Sequence, residues 1–218
     1  IVHHTALLHP ERVRAVAGLS VPFSPPAEVS FLDIAAQLYQ GRFFYQLYFR
    51  EPGVAEAELE ADVRGALRRI YHSLSGDAPL DDWLRERPPT DTLLEGLADP
   101  EPFPAWMAPE DLDVYVRAFE AGGFRGPLNR YRAQALDVAE LEPVRGRHLG
   151  QPACFIGGER DPVRHFVPGV VDLYADPGAA LDDFRGSTIV PGAGHWVQQE
   201  APEAVNDALE RFLSGLGA

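Results

Sequence analysis

The sequence predicts an α/β fold, half of a parallel sheet interrupted by a helical insertion, on three observations. Short apolar runs near both ends of the chain, "VRAVAGLSV", "ACFIG" and "STIV", suit strands buried on both faces, as a parallel sheet requires. The long middle has helical periodicity and no further run of that kind. After the second and third runs the chain turns through glycines to a residue capable of acid–base chemistry, first Asp161 and then His195.

Taken in order, Ile1 to His9 reads as the tail of an apolar-faced helix, stopped by Pro10. Val13, Ala15, Val16, Ala17, Leu19 and Val21 then form a nearly continuous strand pattern, which Pro22, Pro25 and Pro26 break. From about Ser24 to about Val144 the chain reads as helices and loops. "GVAEAELEADVRGALRRIYHSL" puts Leu59, Val63, Leu67 and Ile70 on one face and predicts a helix. "PEDLDVYVRAFEAGG" starts with Pro109 in a favoured first-turn position and stops at Gly122 and Gly123. Between them, Arg85 to Pro109 holds Pro88, Pro89, Pro100, Pro102, Pro104 and Pro109, which predicts an ordered loop. Strands are expected again over Ala153 to Gly157 and Ser187 to Val190, with a helix over Val167 to Tyr174 between them. A last helix, Pro202 to Leu213, shows Val205, Ala208, Leu209 and Phe212 on one face. The expected division is a core of residues 1–23 and 145–218 around a helical cap of residues 24–144. Three strands alone leave a long bare edge. The chain opens on Ile1 rather than Met, inside what reads as a helix, so the expectation is that its own beginning is missing, together with the rest of the sheet.

Composition excludes several function classes. The net charge is −14 and all 19 basic residues are Arg, scattered along the chain, so nothing marks a nucleic-acid or anionic-membrane surface. Cys154 is the only cysteine and sits in an apolar run, where it reads as a small buried filler and leaves the redox compartment open. Without a signal peptide at its start or an apolar stretch approaching the ~18 residues of a membrane span, a cytoplasmic location is expected. His3, His4, His9, His72, His148 and His165 form no metal-like grouping, and no Gly-rich phosphate loop is visible. Neither metal nor cofactor is expected. The residues say nothing about oligomeric state.

Chemistry converges on Asp161 and His195. In open parallel sheets reactive groups sit at the carboxyl ends of strands, and both residues fall just past predicted strand ends. Asp161 alone would serve equally well as a turn residue before Pro162, and His195 alone as a surface loop residue. Together, with the Gly192-Ala193-Gly194 approach and Trp196 alongside, they read as an acid followed by a base. An Asp on one ring nitrogen fixes the tautomer and leaves the other as general base. That order is the one found in α/β-hydrolases, whose nucleophile comes earlier in the chain.

The phrases "HPERVRAVAGLSVPFSP", "FYQLYFREPGVAEAELEADV", "DLDVYVRAFEAGGFRGPLNRYR", "GGERDPV" and "GAGHWVQQEAPEAVNDAL" together resemble the soluble-type epoxide hydrolases of the α/β-hydrolase fold, over nearly the whole chain. The resemblance implies the C-terminal half of an α/β-hydrolase sheet with an inserted helical cap, acting on a small-molecule epoxide. It also implies that a carboxylate attacks the epoxide to form an alkyl ester, and that two cap tyrosines hold the ring oxygen. A His supported by an acid then hydrolyses the ester. By position the tyrosines are Tyr45 and Tyr131, the acid is Asp161 and the base is His195, with Gln46, Val163 and Trp196 as pocket-lining candidates. The family's nucleophile motif, of the type His-Asp-Trp-Gly, falls before Ile1, and the oxyanion segment, of the type His-Gly-X-Pro, further upstream. By itself the chain is therefore expected to form no ester. Two alternatives share parts of the pattern: a haloalkane or haloacid dehalogenase, and a hydrolase-like remnant that binds without turnover.

Overall fold

The computed structural model describes residues 1–217. In chain order its elements are α1 (Val2–Leu8), β1 (Val16–Leu19), α2 (Phe31–Leu38), α3 (Tyr45–Tyr48), α4 (Val54–Ala61), α5 (Val63–Ser73), α6 (Asp81–Leu84), α7 (Pro109–Gly122), α8 (Arg125–Arg132), α9 (Gln134–Glu140), β2 (Leu149–Gly158), β3 (Leu181–Val190), α10 (Val197–Glu200) and α11 (Pro202–Ser214). Short 3-10 turns add Pro10–Arg12, Glu142–Val144 and Pro162–His165. The chain divides into two compact units: a strand unit of Ile1–Glu28, Leu74–Leu80 and the described residues from Leu141 on, and a helical unit of Val29–Ser73 and Asp81–Glu140.

In the strand unit β1, β2 and β3 form a parallel sheet in that order. The central strand explains its own sequence: Ala153, Cys154, Phe155 and Ile156 are all buried, because helices or loops cover both faces of such a strand. Val16 pairs with Ala153 and Leu19 with Ile156, while Gly158 pairs with Val190. The carboxyl ends of β2 and β3 are thus level, and the loops that follow them start side by side. One apolar cluster joins Ala6, Leu7, Val16, Phe23, Leu141, Val144, Leu149, Ala153 and Ala180. A second joins Ile156, Val190, Ala193, Val197, Val205 and Ala208, fastening α10 and α11 to the strands. Each large buried side chain in such a cluster contributes about 1.5–3 kcal/mol.

The strands differ from the expectation in length. β1 is shorter than its apolar run, since Ser20 takes a left-handed backbone at φ 58° and turns the chain. β2 and β3 are longer, because their pairing reaches back to Leu149 and Leu181 through polar residues that carry no apolar signal. The helix expected over Val167 to Tyr174 is absent. Arg164 instead forms an ion pair with Asp172 at 2.5 Å, and the Asp172 carboxylate accepts the Tyr174 amide at 2.8 Å. A side chain that binds its neighbour's backbone in this way stabilises a turn over a helix.

In the helical unit the stretch Gly53 to Leu74 is two helices rather than one. Asp62 leaves the helical region at φ −151°, and its carboxylate accepts the Gly65 amide at 2.9 Å, at the start of α5. The preceding helix, α4, is capped by Gly53, whose φ of 91° suits glycine. The proline-rich loop is ordered through side chains: Glu58 accepts the amides of Leu93 and Leu94 at 3.0 and 2.9 Å. α7 runs from Pro109 to Gly122 as its sequence signals require.

Candidate active site

Asp161 follows β2 by three residues, where its carboxylate opens the Pro162–His165 turn. Oδ1 accepts the Val163 amide at 2.8 Å, so Val163, a lining candidate by sequence, acts here through its backbone. Oδ2 meets His195 Nδ1 at 2.8 Å although the residues are 34 positions apart. The side chain of Asp161 is 0% exposed. A buried carboxylate is tolerated only when hydrogen-bonded and charge-compensated, and its partners meet that requirement. The geometry puts the proton of neutral His195 on Nδ1 and makes Nε2 the basic nitrogen.

The His195 loop is held mainly by its backbone. The His195 amide donates to the Leu74 carbonyl at 2.8 Å, and its carbonyl accepts from the Ser20 hydroxyl at 2.7 Å. One carboxylate, Glu200, accepts three amides: Gly76 and Gly194 at 2.8 Å and Trp196 at 3.0 Å. Burial pushes the Glu200 carboxyl up, while the three amides pull it back toward the charged form. Glycines make this crowding possible. A Cβ on Gly158 would lie 2.1 Å from the Gly194 oxygen, and one on Gly76 would lie 1.8 Å from the Gly192 oxygen. The Trp196 ring stands edge-on to the imidazole, centroids 5.1 Å apart.

In the helical unit Tyr45 opens α3 and Tyr131 lies in α8, and their rings meet edge-on at 5.9 Å. Phe49 touches both, with centroids 5.6 Å from Tyr45 and 5.1 Å from Tyr131, and Trp83 stands 5.7 Å from Tyr45. Gln46 Nε2 donates to the Tyr45 hydroxyl at 2.8 Å and its Oε1 accepts from Gln134 at 2.9 Å. Gln46 is thus bonded to a catalytic candidate itself. Burial pushes the Tyr131 phenol above its ordinary value, with Arg130 opposing. The neighbouring Arg132 fixes α8 in place: it forms two bonds to Glu56, at 2.6 and 2.9 Å, and one to the Phe49 carbonyl at 2.7 Å.

No protein-family model matches the chain. Individual relatives do. Epoxide hydrolase A of Mycobacterium tuberculosis is 37% identical over 217 residues, covering 99% of this chain and 66% of that protein. Epoxide hydrolase B of the same organism is 34% identical, covering 97% of this chain and 68% of that protein. The chain belongs to the epoxide hydrolase family. Solved epoxide hydrolase structures agree. One from an endophytic Streptomyces superposes with a TM-score of 0.89 at 39% identity, over 97% of this chain and 64% of that one. Epoxide hydrolase A of Mycobacterium thermoresistibile superposes with a TM-score of 0.86 at 38% identity, over 98% of this chain and 66% of that one. The three-stranded parallel sheet is accordingly part of an α/β-hydrolase fold. The chain spans about two thirds of the length of the curated relatives it matches. No described helix is long and apolar enough to cross a membrane.

In this epoxide hydrolase chain the structure brings Asp161 to His195, and Tyr45 to Tyr131. It also brings in residues that sequence reasoning missed. Tyr174 donates to Asp161 Oδ2 at 2.5 Å and is buried. The Ser20 hydroxyl, the Leu74 carbonyl and the Glu200 carboxylate hold the His195 loop by bonds to its backbone. Leu74 and Tyr174 lie outside the phrases that carry the resemblance, Tyr174 inside a supposed helix, and Ser20 and Glu200 lie within them without being singled out. The one available signal was the acid in "HWVQQE", one helical turn beyond Trp196.

Proposed function

We propose that the intact protein converts small-molecule epoxides and water into vicinal diols through an alkyl-enzyme ester, in the cytoplasm and without metal or cofactor. The observation that carries this reading is the Tyr45–Tyr131 pair. An opening epoxide develops an alkoxide, and its stabilisation needs donors that stay protonated at neutral pH. A phenol, with an ordinary pKa near ~10, is such a donor, and burial raises Tyr131 further. Gln46 orients the Tyr45 hydroxyl and supports charge on its oxygen as the proton is passed on.

In the proposed sequence a carboxylate from outside the 218 residues attacks an epoxide carbon. The C–O bond breaks and the ring oxygen takes a proton from a tyrosine. His195 Nε2 then takes one proton from water, whose hydroxide adds to the ester carbonyl while Asp161 stabilises the imidazolium. On collapse the leaving alkoxide takes the imidazolium proton to complete the diol, and the second water proton returns to the tyrosinate, restoring carboxylate, imidazole and phenol. The names of the relatives support epoxides as the substrate class.

In the intact enzyme, Tyr45→Phe combined with Tyr131→Phe is expected to lower diol formation at least ~100-fold, the typical effect of losing oxyanion donors. Rates near wild type would remove the tyrosines from the mechanism. His195→Gln is expected to stall after the first step, so that mass spectrometry finds a trapped alkyl adduct; steady multiple turnover would contradict the base assignment. Halide release from a haloalkane, with no diol from any epoxide, would favour a dehalogenase instead.

A further inference from the structure

The Asp161 carboxylate receives one more donor than an acid–base pair requires. Oδ2 accepts from both His195 Nδ1, at 2.8 Å, and the Tyr174 hydroxyl, at 2.5 Å. The same hydroxyl lies 2.6 Å from the Ser20 carbonyl, and the Ser20 hydroxyl donates to the His195 carbonyl at 2.7 Å. These four residues close a ring: Asp161 to His195, His195 to Ser20, Ser20 to Tyr174, and Tyr174 back to Asp161. Ser20 occupies it in a left-handed conformation at φ 58°, the one such non-glycine among the described residues. Strain of this kind persists only where the surroundings over-determine it, and it concentrates at functional sites. Tyr174 is itself placed by Asp172, which accepts its amide, and by Arg164, whose guanidinium stands 5.3 Å from its ring centroid.

We propose that Tyr174 is a positioning residue for the Asp161–His195 pair, its hydroxyl sharing the carboxylate with the imidazole and so setting how readily the pair takes up a proton. For its catalytic meaning this rests on the epoxide hydrolase reading. The physical argument concerns the pair as a unit, because its two members are bonded to each other at 2.8 Å. With Asp161 ionised and His195 neutral the pair carries one negative charge, and the Tyr174 donor stabilises that state. Adding a proton removes the net charge, so the bond then contributes less. Taking the hydroxyl away therefore raises the pair's affinity for a proton, whichever residue carries it. The other charged groups facing the ring are Arg164, its partner Asp172, and Glu200 on the amides that flank His195. The substitutions below leave all three in place.

The test is the titration midpoint of the His195 imidazole by NMR, one of 7 histidines, assigned by loss of its signal in His195→Gln. Tyr174→Phe is expected to move the midpoint up by about one pH unit, the scale of one charge-assisted hydrogen bond. The acid limb of ester hydrolysis in the intact enzyme should move with it. Ser20→Ala removes a bond to a backbone carbonyl and is expected to leave the midpoint in place while lowering thermal stability. Equal shifts in the two variants would mean that Tyr174 acts by general loosening, and would overturn the proposal, as would no shift in Tyr174→Phe. Should that variant not fold, 3-fluorotyrosine at position 174 gives the opposite test: a more acidic phenol donates more strongly and should lower the midpoint. An unchanged or raised midpoint there would also overturn it. Because the titration needs no turnover, a shift as expected in a protein that makes no diol would refute the proposed reaction and leave the role of Tyr174 standing.

Discussion

Arg132 links the tyrosine pair to the rest of the helical unit. Its guanidinium meets the Glu56 carboxylate by two bonds in a nearly buried setting, with side chains 13% and 11% exposed. The Arg132 hydrogen bonds hold the Glu56 carboxyl at about 2, against an ordinary value of 4.5, with the Gly53 amide assisting. A depressed carboxyl contributes stability that is fully present above its unfolded value and lost as pH falls through its folded value. Glu56→Gln is therefore expected to cost about 3 kcal/mol near pH 7, the scale of breaking a buried pair. By urea unfolding the gap to wild type should stay constant down to about pH 5 and close between about 4.5 and 2. A gap undiminished at pH 2 would show that the stabilisation comes from packing of the side chain instead. Buried side-chain partners of this kind are hard to read from sequence. Arg132 follows Tyr131 in a basic run, "RYR", and nothing there identifies one arginine as a support and the other as exposed.

At the scale of elements, the loops after β2 and β3 govern the geometry of the Asp161–His195 pair. The close approach of Gly158 to Gly194 lets two backbones meet where a side chain would separate them. Gly158→Ala is expected to cost at least about 2 kcal/mol, since the obstructing atoms are backbone and cannot rotate away. Thermal unfolding and diol formation should fall together in the intact enzyme; an unchanged melting temperature would show that the loop can shift without cost. The sequence made these elements legible to different degrees. Gly192-Ala193-Gly194 before His195 signalled a tight approach, and the apolar runs marked where β2 and β3 end. The polar half of β3 was invisible, because edge pairing through Leu181 to Gly186 follows from neighbouring strands and not from hydrophobic pattern. The break at Asp62 was hidden for a related reason. Leu59, Val63 and Leu67 keep helical spacing across it, and the periodicity says nothing of a side chain that captures an amide.

For the whole molecule, the parallel α/β class followed from the strand runs, and the family from phrases spread across the chain. What neither conveyed was the path of the chain between the two units. Residues Leu74–Leu80 lie in the strand unit although the helical unit flanks them on both sides in sequence, and their composition, "LSGDAPL", resembles any surface loop. Yet the Leu74 carbonyl and the Gly76 amide are both bound within the His195 loop assembly.

That detour sets a rule for anyone exchanging the helical unit between relatives. A single graft from Val29 to Glu140 replaces the peptide that holds the His195 amide along with Tyr45 and Tyr131. Two separate grafts, 29–73 and 81–140, leave that peptide native. Recombination with one crossover on each side would face the same coupling, so that a new helical unit and a new alignment of the imidazole would be inherited together.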